Sequence, residues 1–63
     1  MCLSNVYKGD RDSSCLLYRN IAEIRFEDGE LHLTDLMGVQ TRIKAEVKKI
    51  DLLENYIIIE PVA

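Results

Sequence analysis

A cysteine directly follows Met1, and this pair has the clearest potential for metal chemistry in the sequence. The free α-amine of Met1, the backbone amide nitrogen of Cys2 and the Cys2 thiolate are spaced to close two fused chelate rings on one metal ion. Nitrogen and thiolate donors in a planar arrangement suit Ni(II) or Cu(II), whereas Mg²⁺ and Ca²⁺ prefer oxygen. The sequence therefore predicts Met1 and Cys2 as metal ligands. The alternative is that Cys2 is a terminal thiol without a role.

The predicted metal site is incomplete within one chain, because one Met1–Cys2 unit offers at most three donors. A two-fold homodimer that brings both Cys2 residues together would add a second thiolate, and such dimers are the commonest oligomers. A chain of 63 residues also buries only about 60% of the surface that its unfolded form exposes, which leaves it marginally stable. Association with a second copy would stabilise it. Both arguments predict a homodimer.

The remaining cysteine and the single histidine give weaker signals for chemistry. Cys15 lies in an apolar run, which favours a buried, inert thiol; a redox pair or disulfide with Cys2 is the alternative. His32 alternates with Leu31 and Leu33, so we expect it on the polar face of a strand, solvated, and at most an outer metal ligand. There is no hydrolytic constellation and no glycine-rich phosphate loop. We therefore predict no catalytic residues and no enzymatic activity.

Charge and hydropathy limit the classes of partner. The net charge of −3 gives no general attraction to nucleic acids or anionic membranes. The first twenty residues have no apolar signal region and no run is long enough to cross a bilayer, so we expect a cytoplasmic protein that does not bind membranes. The alternative function is RNA binding by a small β-barrel. Its basic residues would be Arg42, Lys44, Lys48 and Lys49.

Short apolar runs separated by turn signals predict one all-β domain over residues 1–63. We expect about six or seven short antiparallel strands, curled or closed into a small barrel that limits exposed edges. The strands are expected at residues 2–8, 15–19, 21–26, 31–36 and 39–43, followed by a hairpin formed by residues 49–52 and 56–59. Ala22, Ile24 and Phe26 should share a face.

Individual turns are predicted from particular residues. Asp28-Gly29 lies between alternating runs and favours a tight hairpin turn. Asn55 suits the left-handed position of the last turn, and Pro61 should end the last strand. Residues 44–53 fit both helical and strand periodicity. We interpret residues 44–48 as a turn or one short helical turn before the final hairpin.

Several segments resemble the CooT-type small nickel-binding proteins. They are Met1–Tyr7, Ile21–Phe26, Val47–Leu52 and Ile57–Ile59, and together they span nearly the whole chain. The Met-Cys start is the specific element, whereas the rest is mostly a hydrophobic pattern. This family is associated with maturation of carbon monoxide dehydrogenase and has also been labelled predicted RNA-binding.

The resemblance implies a β-barrel-like homodimer that binds Ni(II) through Cys2 at or near the dimer interface. Only Cys2, with the adjacent Met1 amine and backbone, matches the family motif residue by residue. The resemblance implies a nickel chaperone or store that delivers the ion to a metalloenzyme such as carbon monoxide dehydrogenase. The charged loop at residues 9–13 matches no motif and carries no inferred role.

Overall fold

Six strands account for most of residues 2–62, the part of the chain that the computed structural model describes. The strands are β1 (Ser4–Lys8), β2 (Leu16–Glu27), β3 (Glu30–Asp35), β4 (Gln40–Ile43), β5 (Ala45–Asp51) and β6 (Tyr56–Pro61). A short 3-10 turn over Ser13–Cys15 precedes β2. Among these residues no helix has the length and apolar character that crossing a membrane requires.

The strands form one curled, half-barrel sheet in the order β4-β3-β2-β1-β6-β5. All neighbouring strands are antiparallel except β1 and β6, which pair in parallel. The prediction of an all-β, barrel-like fold is confirmed, but the prediction of a purely antiparallel arrangement was wrong. Parallel neighbours need a long connection in the sequence, and β2 to β5 form that connection between β1 and β6.

The strands predicted at residues 15–19 and 21–26 are a single strand, β2, of twelve residues. Its first half pairs with β1, from Leu16 opposite Tyr7 to Ile21 opposite Ser4, and its second half pairs with β3. Register shifts occur along both pairings, and in each case β2 holds the extra residue. Bulges of this kind bend a strand and increase its twist, which lets one strand serve two neighbours in a curled sheet.

The hairpin at Asp28-Gly29 is confirmed. The φ angles of Asp28 and Gly29 are 54° and 74°, and Glu27 pairs with Glu30 across the turn. Two positive φ angles give the backbone twist that matches the twist of the flanking strands. Ile24 and Phe26 face Leu33 and Leu31 across the ladder, whereas Ala22 lies at a register shift and is exposed.

The C-terminal hairpin is longer than predicted. Residues 45–48 belong to β5, so the expected turn or helical turn at residues 44–48 was wrong. The pairing passes from Val47 opposite Ile59 to Lys49 opposite Ile58. Lys48 is therefore an inserted residue that breaks the alternating pattern. The left-handed Asn55, with φ of 58°, and the strand end at Pro61 agree with the prediction.

The hydrophobic core fills the concave side of the curled sheet. Seven buried residues form one cluster: Val6, Ile21, Leu31, Leu33, Ala45, Ile57 and Ile59. Val6 of β1 and Ile59 of β6, the two strands of the parallel pair, are completely buried. The core therefore anchors β1, the strand that follows Cys2.

Candidate metal-binding site

Cys2 lies two residues before β1 and is exposed, with a free thiol. Met1, the other predicted ligand, lies outside the described residues. Followed towards the N-terminus, the chain passes from the half-buried Ser4 and Leu3 to the exposed Cys2. The Cys2 thiol is therefore accessible from solvent, at the end of a segment whose base is held by the sheet.

One turn lies beside the base of this segment, and a second is connected to it through β2. The Asn5 amide donates to the Asn55 carbonyl at 3.2 Å, which joins β1 to the β5–β6 turn. On the other side, the Asn20 amide donates to Asn5 Oδ1 at 3.2 Å, and the Leu36 amide donates to the Asn20 carbonyl at 2.9 Å. We call this end of the sheet the N-terminal rim. It comprises residues 2–5 and the β5–β6 turn at residues 52–55. The β3–β4 turn at residues 36–39 lies on the other side of β2, where Val39 lines a cleft with Leu16 and Tyr18.

An aspartate at the end of a strand holds each of these turns. Asp35 Oδ1 accepts hydrogen bonds from the Met37 and Val39 amides, both at 2.9 Å. Asp51 Oδ1 accepts from the Leu53 amide at 3.0 Å and from the Glu54 amide at 2.7 Å. These aspartates satisfy backbone donors that the turns would otherwise leave without a partner. Both turns therefore have a defined conformation.

Two apolar side chains on the N-terminal rim are turned towards solvent, Leu52 at 82% and Leu53 at 87% exposed. The β3–β4 turn carries three more, Leu36, Met37 and Val39, with exposed fractions of 58%, 83% and 60%. Single exposed apolar residues are ordinary, but a group at one end of a small domain is typical of an interaction surface. The exposed thiol of Cys2 shares the N-terminal rim with Leu52 and Leu53.

Cys15 lies at the opposite end of β1 from Cys2. Tyr7 pairs with Leu16, so about six strand residues, or roughly 20 Å, separate the two cysteines. A disulfide needs Cα atoms within about 7 Å, and both thiols are free. Cys15 is half-buried rather than buried as predicted. The alternative of an intramolecular redox pair is excluded in this fold.

His32 is not solvated as the sequence predicted. Its side chain is only 16% exposed, because it lies between Arg25 and Arg42 of the neighbouring strands. His32 Nε2 is buried without a hydrogen-bond partner and lies 3.9 Å from Glu30 Oε1. The histidine lies on β3, which is separated from β1 by β2. Within residues 2–62, no group of three or more His, Cys, Asp and Glu side chains is placed to hold a metal ion.

The basic residues of the predicted RNA surface are largely matched by acidic or polar neighbours. Arg42 Nε lies 3.7 Å from Glu30 Oε1, and Lys48 Nζ lies 3.0 Å from Glu46 Oε2. Lys49 Nζ donates to Tyr56 Oη at 2.8 Å, and this hydrogen bond raises the pKa of Lys49 above its ordinary value. The four basic residues therefore do not form a continuous positive surface.

The charged loop after β1 packs against an aromatic pair that sequence reasoning missed. Tyr7 and Tyr56 meet edge to face at 6.2 Å between ring centroids. The Arg11 guanidinium stacks 4.3 Å from the Tyr56 ring centroid and lies 3.4 Å from Glu54 Oε1. The aromatic and basic residues were visible in the sequence, but their proximity depends on the parallel β1–β6 pairing. Tyr7 and Tyr56 are thus occupied by internal contacts.

The comparisons with known proteins agree with this fold. The family model described as "CO dehydrogenase accessory protein CooT" matches residues 1–60. The crystal structure of a protein assigned as CooT from Carboxydothermus hydrogenoformans superposes with a TM-score of 0.84 at 21% sequence identity, covering 98% of this chain and all of that one. No curated protein sequence matches the chain. From the match over residues 1–60, the chain belongs to the CooT family of CO dehydrogenase accessory proteins, which are maturation factors and not enzymes.

Proposed function

We propose that this protein binds Ni(II) through Cys2 and stores the ion or delivers it to a metalloenzyme such as carbon monoxide dehydrogenase. The observation that carries the proposal is the exposed free thiol of Cys2, held at the end of β1 in a chain of the CooT family. A thiolate beside backbone and amine nitrogens is a donor set that suits Ni(II). Nickel is the cargo here, and the protein carries out no catalysis.

The proposed site requires a second copy of the chain. Met1 and Cys2 of one protomer supply at most three donors, which leaves a planar site incomplete. Across a two-fold axis each protomer supplies its Cys2 thiolate and one nitrogen, and these two pairs complete a four-coordinate planar site. The exposed apolar side chains of the N-terminal rim support this arrangement, because burying them against a second copy would stabilise a dimer. In a two-fold dimer, the same rim meets itself and brings the two Cys2 residues together.

The ligand chemistry explains how the ion would be taken up and released. Protons compete with Ni(II) for the Cys2 thiolate, so nickel affinity should fall as the pH falls. An exposed site lets an acceptor protein with more ligands approach and take the ion by exchange. We place this exchange in the cytoplasm, where thiols stay reduced.

The test is a nickel titration of three proteins: the wild type, Cys2→Ser and the control Cys15→Ser. We expect Cys15→Ser to bind Ni(II) as the wild type does, because Cys15 lies at the far end of β1. Cys2→Ser should lose tight binding. Equal nickel affinity in Cys2→Ser and wild type would show that the site assignment is wrong, and salt-dependent RNA binding that survives Cys2→Ser would favour the RNA-binding alternative.

A further inference from the structure

We propose that Asn5 is a positioning residue that fixes the direction in which the Cys2 segment leaves the sheet. The metal-binding part of this inference rests on the proposed function, since it concerns how Cys2 is presented to nickel. Asn5 is three residues from Cys2 and is half-buried, with the β5–β6 turn on one side and β2 on the other. Its backbone and its side chain each make a hydrogen bond, in opposite directions.

On the β6 side, the Asn5 amide donates to the Asn55 carbonyl. Asn55 has φ of 58°, in the left-handed region that asparagine tolerates better than most residues. This conformation turns the chain immediately before β6 begins at Tyr56. The Asn5 backbone is therefore connected to the β5–β6 turn.

On the β2 side, the Asn5 side chain replaces a missing ladder partner. The β1–β2 register passes from Ser4 opposite Ile21 to Val6 opposite Tyr18, which leaves one extra residue in β2. At this bulge Asn20 adopts φ of 56°, and its amide donates to Asn5 Oδ1 rather than to a backbone carbonyl of β1. A backbone donor at a bulge needs a partner, and the carboxamide of Asn5 supplies it.

The same bulge connects Asn5 to the β3–β4 turn on the other side of β2. The carbonyl of Asn20 accepts the Leu36 amide at 2.9 Å, so one short chain of hydrogen bonds runs from Asn5 through Asn20 to the β3–β4 turn. Asn5 is thus fixed between the two turns that carry the exposed apolar side chains. A ligand that must meet its symmetry mate benefits from a rigid base, because less motion is lost on binding.

A metal-free measurement tests the positioning directly. A nitroxide spin label on Cys2, in a Cys15→Ser background, reports the mobility of the segment by electron paramagnetic resonance. We expect Asn5→Ala to increase the mobility of the label, because Asn5 Oδ1 no longer holds the bulge. Asn5→Asp keeps the acceptor and should keep the restricted spectrum. Asp28→Ala, with its φ of 54° at the distant β2–β3 hairpin, should strain the fold without changing the label.

A nickel measurement tests the consequence for the site. In competition with a chelator, Asn5→Ala should bind Ni(II) about fivefold more weakly, the factor typical of one net hydrogen bond. Asn5→Asp should bind Ni(II) with the wild-type affinity, because it keeps the acceptor for Asn20. Ser4→Asp adds the same charge and leaves Asn5 in place. It should also bind with the wild-type affinity, which would show that the charge alone does not change nickel binding. Thermal unfolding of each variant separates this effect from a general loss of stability.

The outcomes for the inference and for the proposed function are separate. An unchanged label spectrum in Asn5→Ala overturns the inference, even if Cys2 binds nickel as proposed. Increased mobility in Asn5→Ala but not in Asp28→Ala supports it, even if the wild type binds no nickel and the proposed function fails. If Asp28→Ala mobilises the label as much as Asn5→Ala does, the effect is global destabilisation and the positioning role is wrong.

Discussion

Replacing Leu53 by serine should weaken the proposed dimer strongly. Leu53 is 87% exposed at the tip of the β5–β6 turn, beside the base of the Cys2 segment. Fully burying a leucine side chain contributes about 1.5–3 kcal/mol. The substitution removes this contribution twice, once in each protomer. We therefore expect a loss of about 3–6 kcal/mol, which corresponds to a dissociation constant raised roughly 10²- to 10⁴-fold.

Sedimentation velocity over a concentration series measures this change. The matched control is Phe26→Ser. Phe26 is also exposed, at 64%, but it lies next to the turn of the β2–β3 hairpin and not on the N-terminal rim. Phe26→Ser should leave the dissociation constant within a few-fold of the wild type. The reasoning is refuted if Leu53→Ser dimerises as tightly as the wild type, or if Phe26→Ser weakens the dimer as much as Leu53→Ser does.

Two further predictions concern the stability of the protomer. Ile59 is completely buried, so Ile59→Ala should lower the free energy of unfolding by about 2–5 kcal/mol and Ile59→Val by about 0.5–1.5 kcal/mol; thermal unfolding checks this, and equal melting temperatures would contradict the packing. Tyr56→Phe removes the hydrogen bond that raises the pKa of Lys49, so that pKa should fall towards 10.5 in a nuclear magnetic resonance titration. Because the folded pKa lies above the unfolded value, the stabilisation is present below pH 10.5 and is lost as pH rises through the folded pKa. Tyr56→Phe should therefore reduce the alkaline loss of stability, and an unchanged Lys49 titration would contradict this.

Local turn chemistry was predictable from the sequence. Asp28-Gly29, Asn55 and Pro61 act through backbone preferences that depend on few neighbours, and each has the role its residue type indicates. Strand positions flanking these residues were also predicted. What the local signals could not supply is how far each strand runs or which strands become neighbours.

The bulges explain the largest errors in the fold prediction. Along β2, extra residues near Asn20 and Ala22 interrupt the alternation of apolar side chains. The sequence pattern of this one bent strand therefore predicts two short strands. Lys48 has the same effect in β5, where its insertion makes a strand fit helical spacing. The parallel pairing of β1 and β6 has no local signal, because it depends on the whole path of the chain between them.

The candidate site was predictable only in part. Cys2 stands out because of its position after Met1, which requires no knowledge of the fold. The rim around it was not predictable, because Leu52 and Leu53 have the same hydrophobic character as residues of the core. Asn5 gave no signal, since its importance arises from a bulge in a strand fifteen residues away. Tertiary pairing decides these roles.

Native mass spectrometry of the wild type with and without Ni(II) tests the central claim most directly. It reports the number of chains, the number of metal ions and the presence of Met1 in one measurement. Our account predicts one nickel ion per two chains, with dimer and nickel both present, and loss of the ion in Cys2→Ser. A monomer that holds its own nickel ion, or a Cys2→Ser dimer that keeps the ion, would contradict it.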